Sequence, residues 1–172
     1  TWMLDGNYGL VNDLLVKAGI LSRFQPWLAQ PWSALPAVML ADVWQGIPFF
    51  AVMLLAALQA IPEDLFEAAR IDGASPWRVF RHITLPLLLP TILITTMLRM
   101  IWTANYMDLI MIMTGGGPGY SSLTIPLHAY YMAYKRLDFG YGATIAIVQV
   151  AILAGAIVAY LRQLRSHEVM VQ

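Results

Sequence analysis

Residues 67–90 read EAARIDGASPWRVFRHITLPLLLP. The stretch opens with charge, turns at Gly73 and runs into an apolar segment, and an equally apolar run precedes it. The surrounding composition decides how this should be read. The 172 residues are 59% hydrophobic and only 12% charged, where an average soluble domain carries about 25% charged residues. A soluble fold of this length has too little polar surface to cover so much apolar surface. The expectation is an all-α integral membrane protein. Six Trp and eight Tyr supply amphipathic rings suited to membrane interfaces.

Three apolar runs flank or follow the opening stretch, and each exceeds the ~20 residues that a helix rising 1.5 Å per residue needs to cross a ~30 Å core. The expected layout is a loop at 1–33, spans at 34–60, 84–113 and 140–162, a charged hairpin at 61–83, a second loop at 114–139 and a polar tail at 163–172. Pro36 suits the first turn of the first span, and Pro86 and Pro90 start or bend the second. In the first loop NDLLVKAGIL (12–21) is weakly amphipathic, and Trp27 and Trp32 lie near the entry to the membrane. The second loop opens with the turn-rich TGGGPGYSS and continues as TIPLHAYYMAYKRL, a short helix expected at the interface. The first residue is Thr and no signal peptide is visible, so a partial chain is expected.

The hairpin carries ordered signals. Pro62 opens a helix with Glu63 and Asp64 in its first turn, where the helix dipole favours negative charge. Gly73 supplies a turn with positive φ. Ser75 caps a second helix with Pro76 at its first position, and Trp77 and Phe80 fall on one face. A plain connector needs ~2–8 residues, so a hairpin of this length and order reads as a docking element. Ala68 and Ala69 leave room for another surface to come close.

Charge counting leaves the orientation open. Arg70, Arg78, Arg81, Arg162 and Arg165 lie on one side, and Lys17, Arg23, Lys135 and Arg136 on the other. Zero net charge gives no sign of a nucleic-acid partner. The absence of Cys excludes disulfides and thiolate metal sites, and His82, His128 and His167 have no metal-binding spacing. No GxxxxGK[ST] phosphate loop occurs, so ATP binding is not expected in this chain.

Two spans carry polar groups at membrane depth, where a central charge costs on the order of 2.5–3.5 kcal/mol on insertion scales. Asp42, Gln45, Gly46 and Phe49 share one helix face, as do Arg99, Trp102, Thr103 and Tyr106, with Asn105 beside the second. Gly46 and Pro48 weaken the helix locally, as in the broken helices of transport sites. Such stripes suit a substrate pathway for carbohydrate. Rings cover apolar sugar patches, and fixed donors and acceptors meet hydroxyls. The competing reading is structural, with an Asp42–Arg99 ion pair and with Trp44 and Trp102 as packing residues. On the third span Ala151, Gly155 and Ala159 form a small face that reads as packing.

Glu67-Ala68-Ala69, three residues, Gly73, nine residues, Ile83, one residue, then Leu85-Pro86: this spacing resembles the EAA loop in the membrane subunits of binding-protein-dependent ABC importers. WQGIPFF, MTGGGPG and LDFGYGATIAI look like the sugar-permease branch related to the first permease of the maltose transporter, and the resemblance covers nearly the whole chain. It implies the last three spans of a six-span permease. Glu67, Ala68, Ala69, Asp72 and Gly73 would lie in a cytoplasmic loop against a partner ATPase dimer. Residues 1–33 and 114–139 would face an extracytoplasmic solute-binding protein. A second permease and the lipid of the inner membrane complete the implied partners. ATP and Mg would be bound by the ATPase, and this multi-pass chain would be a transport subunit with no cofactor, not an enzyme. Both polar stripes fall where the maltose permease holds its sugar, with few identical side chains. A sugar or oligosaccharide is the expected cargo; glycerol phosphate, a polyol or an acidic saccharide is the alternative. Arg99 favours an anion, and an Asp42–Arg99 pair a neutral sugar. A membrane-embedded enzyme is less consistent, since Asp42, Arg99 and Asp108 make no recognisable catalytic pair.

Overall fold

The computed structural model describes residues 1–168, with side chains to Arg162. The side chains expected on the tail, Arg165 and His167 among them, and residues 169–172 lie outside the described residues. Among the described residues the chain is helical, without strands. A 3₁₀ turn (Trp2–Leu4) and α1 (Leu10–Lys17) precede the long α2 (Pro31–Gln59). Then come α3 (Glu63–Ile71), α4 (Pro76–Val79), a π turn (Phe80–Thr84), α5 (Leu85–Asn105) and α6 (Asp108–Met113). The chain closes with α7 (Ile125–Tyr130), a second π turn (Tyr131–Lys135) and α8 (Phe139–Glu168).

Three helical stretches are long and apolar enough to cross a membrane: Pro31–Gln59, Pro76–Asn105 and Phe139–Arg162. Only 11%, 11% and 6% of their most apolar windows are buried within this chain. A helix apolar all round and yet uncovered requires an apolar medium or a partner around it.

The expected boundaries need two corrections. The first span begins at Pro31, not Ala34; Pro31 is the residue whose missing N–H costs nothing at a helix start, and Pro36 sits further in. The run 84–113 is not one span. α5 ends at Asn105, and Tyr106 and Met107 separate it from α6. At its other end the helix continues unbroken from Pro76 through the π turn, so Pro86 does not begin it. In a regular α-helix the Pro86 ring would strike the His82 carbonyl four residues back. The π turn, in which the Leu85 N–H bonds the Phe80 carbonyl, widens that region.

The chain forms two compact units, Trp44–Trp102 and Thr1–Val43 with everything from Thr103 onward. In the latter, Val38, Ile110 and Leu127 form a core, joined by Met107, Leu123, Tyr130 and Tyr131. Its first 33 residues fold around the fully buried Asn12. The Asn12 Nδ2 donates to the carbonyls of Asp5 and Gln25, each at 2.9 Å. Its Oδ1 accepts from the Gln25 N–H at 3.0 Å and the Trp27 Nε1 at 2.9 Å. The TGGGPG turn is tied down by Ser122, whose hydroxyl lies 2.7 Å from that of Thr114 and 2.7 Å from the Gly117 carbonyl. Gly142 explains a glycine in LDFGYGATIAI: a Cβ there would lie 3.0 Å from the Ala129 carbonyl and the Ala133 Cβ, so α8 approaches α7 closely only without one.

Asn12→Leu strands two carbonyls and two N–H groups. At about 1–3 kcal/mol for a buried group left unsatisfied, exchange of the Gln25 amide should accelerate on the order of tenfold to a hundredfold. Hydrogen exchange on the detergent-solubilised protein measures this. Gly142→Val should lower the melting temperature and expose the 125–139 segment to limited proteolysis.

Candidate functional site

The charged hairpin lies wholly within the Trp44–Trp102 unit. Glu63 and Asp64 occupy the first turn of α3, as the helix dipole favours. The helix ends in a Schellman motif: the Ala74 N–H bonds the Ala69 carbonyl at 2.9 Å, the Gly73 N–H bonds the Arg70 carbonyl at 3.0 Å, and Gly73 has φ +70°. Ser75 stands at the N-cap of α4 and Pro76 at its first position, although the Ser75 hydroxyl makes no capping bond. Trp77 and Phe80 stack with centroids 5.6 Å apart. Glu67, Ala68, Asp72 and Gly73 are exposed, and so are Ile71 and Trp77. Ala69 is buried, at 8% exposure, so it faces into the protein and not toward an incoming surface.

Of the stripe residues, Gln45, Gly46, Phe49, Arg99 and Trp102 belong to this same unit. Phe49 and Trp102 pack ring on ring, with centroids 4.9 Å apart at 60°. Gly46 is buried against Arg99: a Cβ there would sit 3.1 Å from the guanidinium carbon. The bare backbone of Gly46 therefore makes the room the Arg99 head occupies. Gln45 is exposed.

Asp42, Thr103, Asn105 and Tyr106 belong to the other unit. There the Thr103 hydroxyl donates to the Asp42 Oδ2 at 3.5 Å, and the Tyr106 N–H closes a tight turn on the Thr103 carbonyl at 3.2 Å. Pairs drawn from the two stripes thus touch within each unit: Gly46 with Arg99, Phe49 with Trp102, Asp42 with Thr103.

One participant was not anticipated. The Gln149 Nε2 on α8 donates to the Ala104 carbonyl at 2.8 Å and to the Asn105 Oδ1 at 3.3 Å. The signal was present as a lone amide in the apolar run IAIVQVAILAGAI. A polar residue at that depth is costly unless partnered. Gln149 lies ten residues beyond Phe139, the start of α8. That is ~15 Å of helix, and the amide ties α8 to the end of α5.

Comparison with known proteins accords with this architecture. The chain is 42% identical over 94% of its length to a trehalose/maltose transport system permease protein of Thermococcus litoralis, covering 55% of that protein. It is 38% identical over 97% of its length to a sulfoquinovosyl glycerol transport system permease protein of Agrobacterium fabrum, covering 54% of it. A chain of a bacterial alginate ABC transporter, solved with its alginate pentasaccharide-bound periplasmic protein, superposes with a TM-score of 0.80 at 22% identity, over 92% of this chain and 55% of that one. The chain thus spans about half the length of the relatives it matches. Residues 10–167 match the family described as binding-protein-dependent transport system inner membrane component, and this multi-pass membrane chain belongs to that family.

Proposed function

We propose that this chain forms the latter part of the permease subunit of an ATP-driven importer for a sugar or oligosaccharide. The observation that carries the reading is the hairpin: the complete spacing from Glu67 to Pro86 on an exposed helix–turn–helix whose second arm is continuous with a membrane helix. The names of the two permease relatives, for trehalose or maltose and for sulfoquinovosyl glycerol, support the sugar class. In this reading Glu67, Ala68, Asp72 and Gly73 dock on an ATPase dimer that binds ATP and Mg. The exposed Ile71 and Trp77 add apolar contact. ATPase closure displaces the hairpin, and α4 and α5 carry the movement into the membrane. The hairpin is cytoplasmic, and residues 1–33 and 114–139 meet the solute-binding protein outside. A second permease completes the translocation path. Substrate passes Asp42, Gln45, Gly46, Phe49, Arg99, Trp102, Thr103, Asn105 and Tyr106.

Arg99 supports a second reading, an acidic saccharide as cargo, because a guanidinium pairs with carboxylate oxygens in bidentate geometry. Uptake by the assembled transporter in proteoliposomes, with radiolabelled maltose, trehalose, sulfoquinovosyl glycerol and an alginate oligosaccharide, separates the two. A stable preparation active without any ATPase would overturn both.

Two variant sets test the parts separately. Glu67→Ala should reduce substrate-stimulated ATP hydrolysis and uptake about tenfold, as expected for losing a charge-assisted contact of ~1.5–3 kcal/mol, while the KM for substrate holds. Phe49→Ala and Trp102→Ala should instead raise the uptake KM, on the order of tenfold for a stacked ring worth ~1–2 kcal/mol. Unchanged KM in both ring variants would remove this face from the pathway.

A further inference from the structure

The segment leading into α8 brings two cations and a row of exposed rings to the edge of a membrane span. The Tyr131–Lys135 π turn closes with the Arg136 N–H on the Tyr131 carbonyl at 3.1 Å, and the Asp138 N–H bonds the Met132 carbonyl at 3.0 Å. Leu137 takes φ +58° and reverses the chain there. Lys135 and Arg136 stand at this corner, both exposed, just ahead of Phe139, where the third span starts. The Lys135 ammonium sits 4.0 Å over the Tyr131 ring, and the Tyr131 hydroxyl donates to the Gly115 carbonyl at 3.0 Å. The ring that carries the cation is thus itself held, and a ring face attracts an ammonium without consuming all of its N–H donors. Among the described residues neither Lys135 nor Arg136 forms an ion pair. The adjoining carboxylate, Asp138, is turned to the start of α8, where its Oδ1 accepts the Tyr141 N–H at 2.9 Å and the helix dipole offsets its charge.

Apolar groups are exposed around the same corner: Tyr134 at 65%, Leu137 at 73% and Phe139 at 58%. The Tyr134 ring centroid lies 5.0 Å from that of Tyr130 and 6.0 Å from that of Phe139, so the rings form a continuous row. Such rings favour the level of lipid headgroups. Cations beside the hydrocarbon edge reach a phosphate while their stems lie along apolar surface. The positive-inside bias does not account for the pair, since in the orientation proposed above it favours cations at the other end of α8.

We infer that Lys135 and Arg136 bind the phosphate headgroup of an anionic phospholipid, with Tyr130, Tyr134, Leu137 and Phe139 against its upper acyl carbons. Charge complementarity selects a lipid of net negative charge; the choline of a zwitterionic lipid would meet the same cations with repulsion. The site stands on α8 being a membrane span and goes beyond the import reading. It assigns the closing residues of the 114–139 loop to lipid and leaves the solute-binding protein the remainder.

Phosphatidylglycerol and phosphatidylcholine probes, each with a diazirine in the acyl chain, test this at trace amounts in phosphatidylcholine proteoliposomes holding the assembled transporter. Peptide mass spectrometry quantifies the photoadducts within residues 130–141. A lysine or arginine near an anionic lipid is worth about fivefold in binding. The phosphatidylglycerol probe should therefore label this segment on the order of tenfold to thirtyfold more than the phosphatidylcholine probe. Lys135→Gln combined with Arg136→Gln should bring that ratio close to one, whereas Lys135→Arg with Arg136→Lys keeps both charges and should preserve it. Should the double glutamine variant fail to assemble, each single change serves and should cut the ratio about fivefold. Equal labelling of the wild type by both probes overturns the inference, as does a preference that survives loss of both cations. Loss of the preference in millimolar inorganic phosphate would mark a free-anion site, and loss on adding the solute-binding protein a protein contact; either overturns the lipid assignment. Labelling needs no transport, so its failure leaves the import reading standing, and failed uptake leaves this one.

Discussion

A peptide carbonyl facing hydrocarbon has no water to accept from, so every helix end at membrane depth needs a protein donor. In this chain most of the membrane-crossing backbone meets that requirement by staying helical. The end of α5 cannot, because the helix stops at Asn105 while apolar sequence continues. The Gln149 amide meets the Ala104 carbonyl of the last turn, where α5 ends within an apolar run. Thr103, Asn105 and Tyr106 all cluster around that break. A polar cluster is thus tied to a structural need. The residues that satisfy the backbone are the same type that could contact a polar solute.

The hairpin shows the complementary strategy, in which a helix persists through residues that ought to interrupt it. Pro76, Pro86 and Pro90 all lie within the stretch from Pro76 to Asn105. Pro76 stands where no N–H is needed, and the π turn widens the helix ahead of Pro86. The outcome is a single rod from the exposed turn at Gly73 into the membrane. A loop between hairpin and span would absorb displacement by rotating its own dihedrals. A continuous helix passes much of it on. This continuity is the physical basis of the coupling role proposed for the hairpin.

Much of this architecture is legible in the sequence because its signals are local. Spans follow from apolar runs longer than a bilayer requires, the Schellman turn from a glycine at the right distance, and the Trp77–Phe80 stack from spacing alone. The misreadings arise where distant parts decide. The run 84–113 is apolar throughout, and nothing within it marks Asn105 as an end, since the donor that makes the end tolerable sits on α8. Ala69 looked like room for a partner because its small size was visible and the direction of its face was not. Asn12 looked like one polar residue of a weakly amphipathic helix, yet it is fully buried and ties α1 to the backbone at Asp5 and Gln25 and to the Trp27 indole.

Gly46 and Arg99 carry this point furthest. A glycine in a long apolar helix reads as a weak spot, and an arginine in another as an isolated cost. Their meaning is joint. The guanidinium carbon lies 3.1 Å from where a Cβ on residue 46 would stand, so even an alanine there would require the charged head to yield by a few tenths of an ångström. A guanidinium packed against a missing side chain makes the two positions one constraint, which neither sequence segment encodes alone.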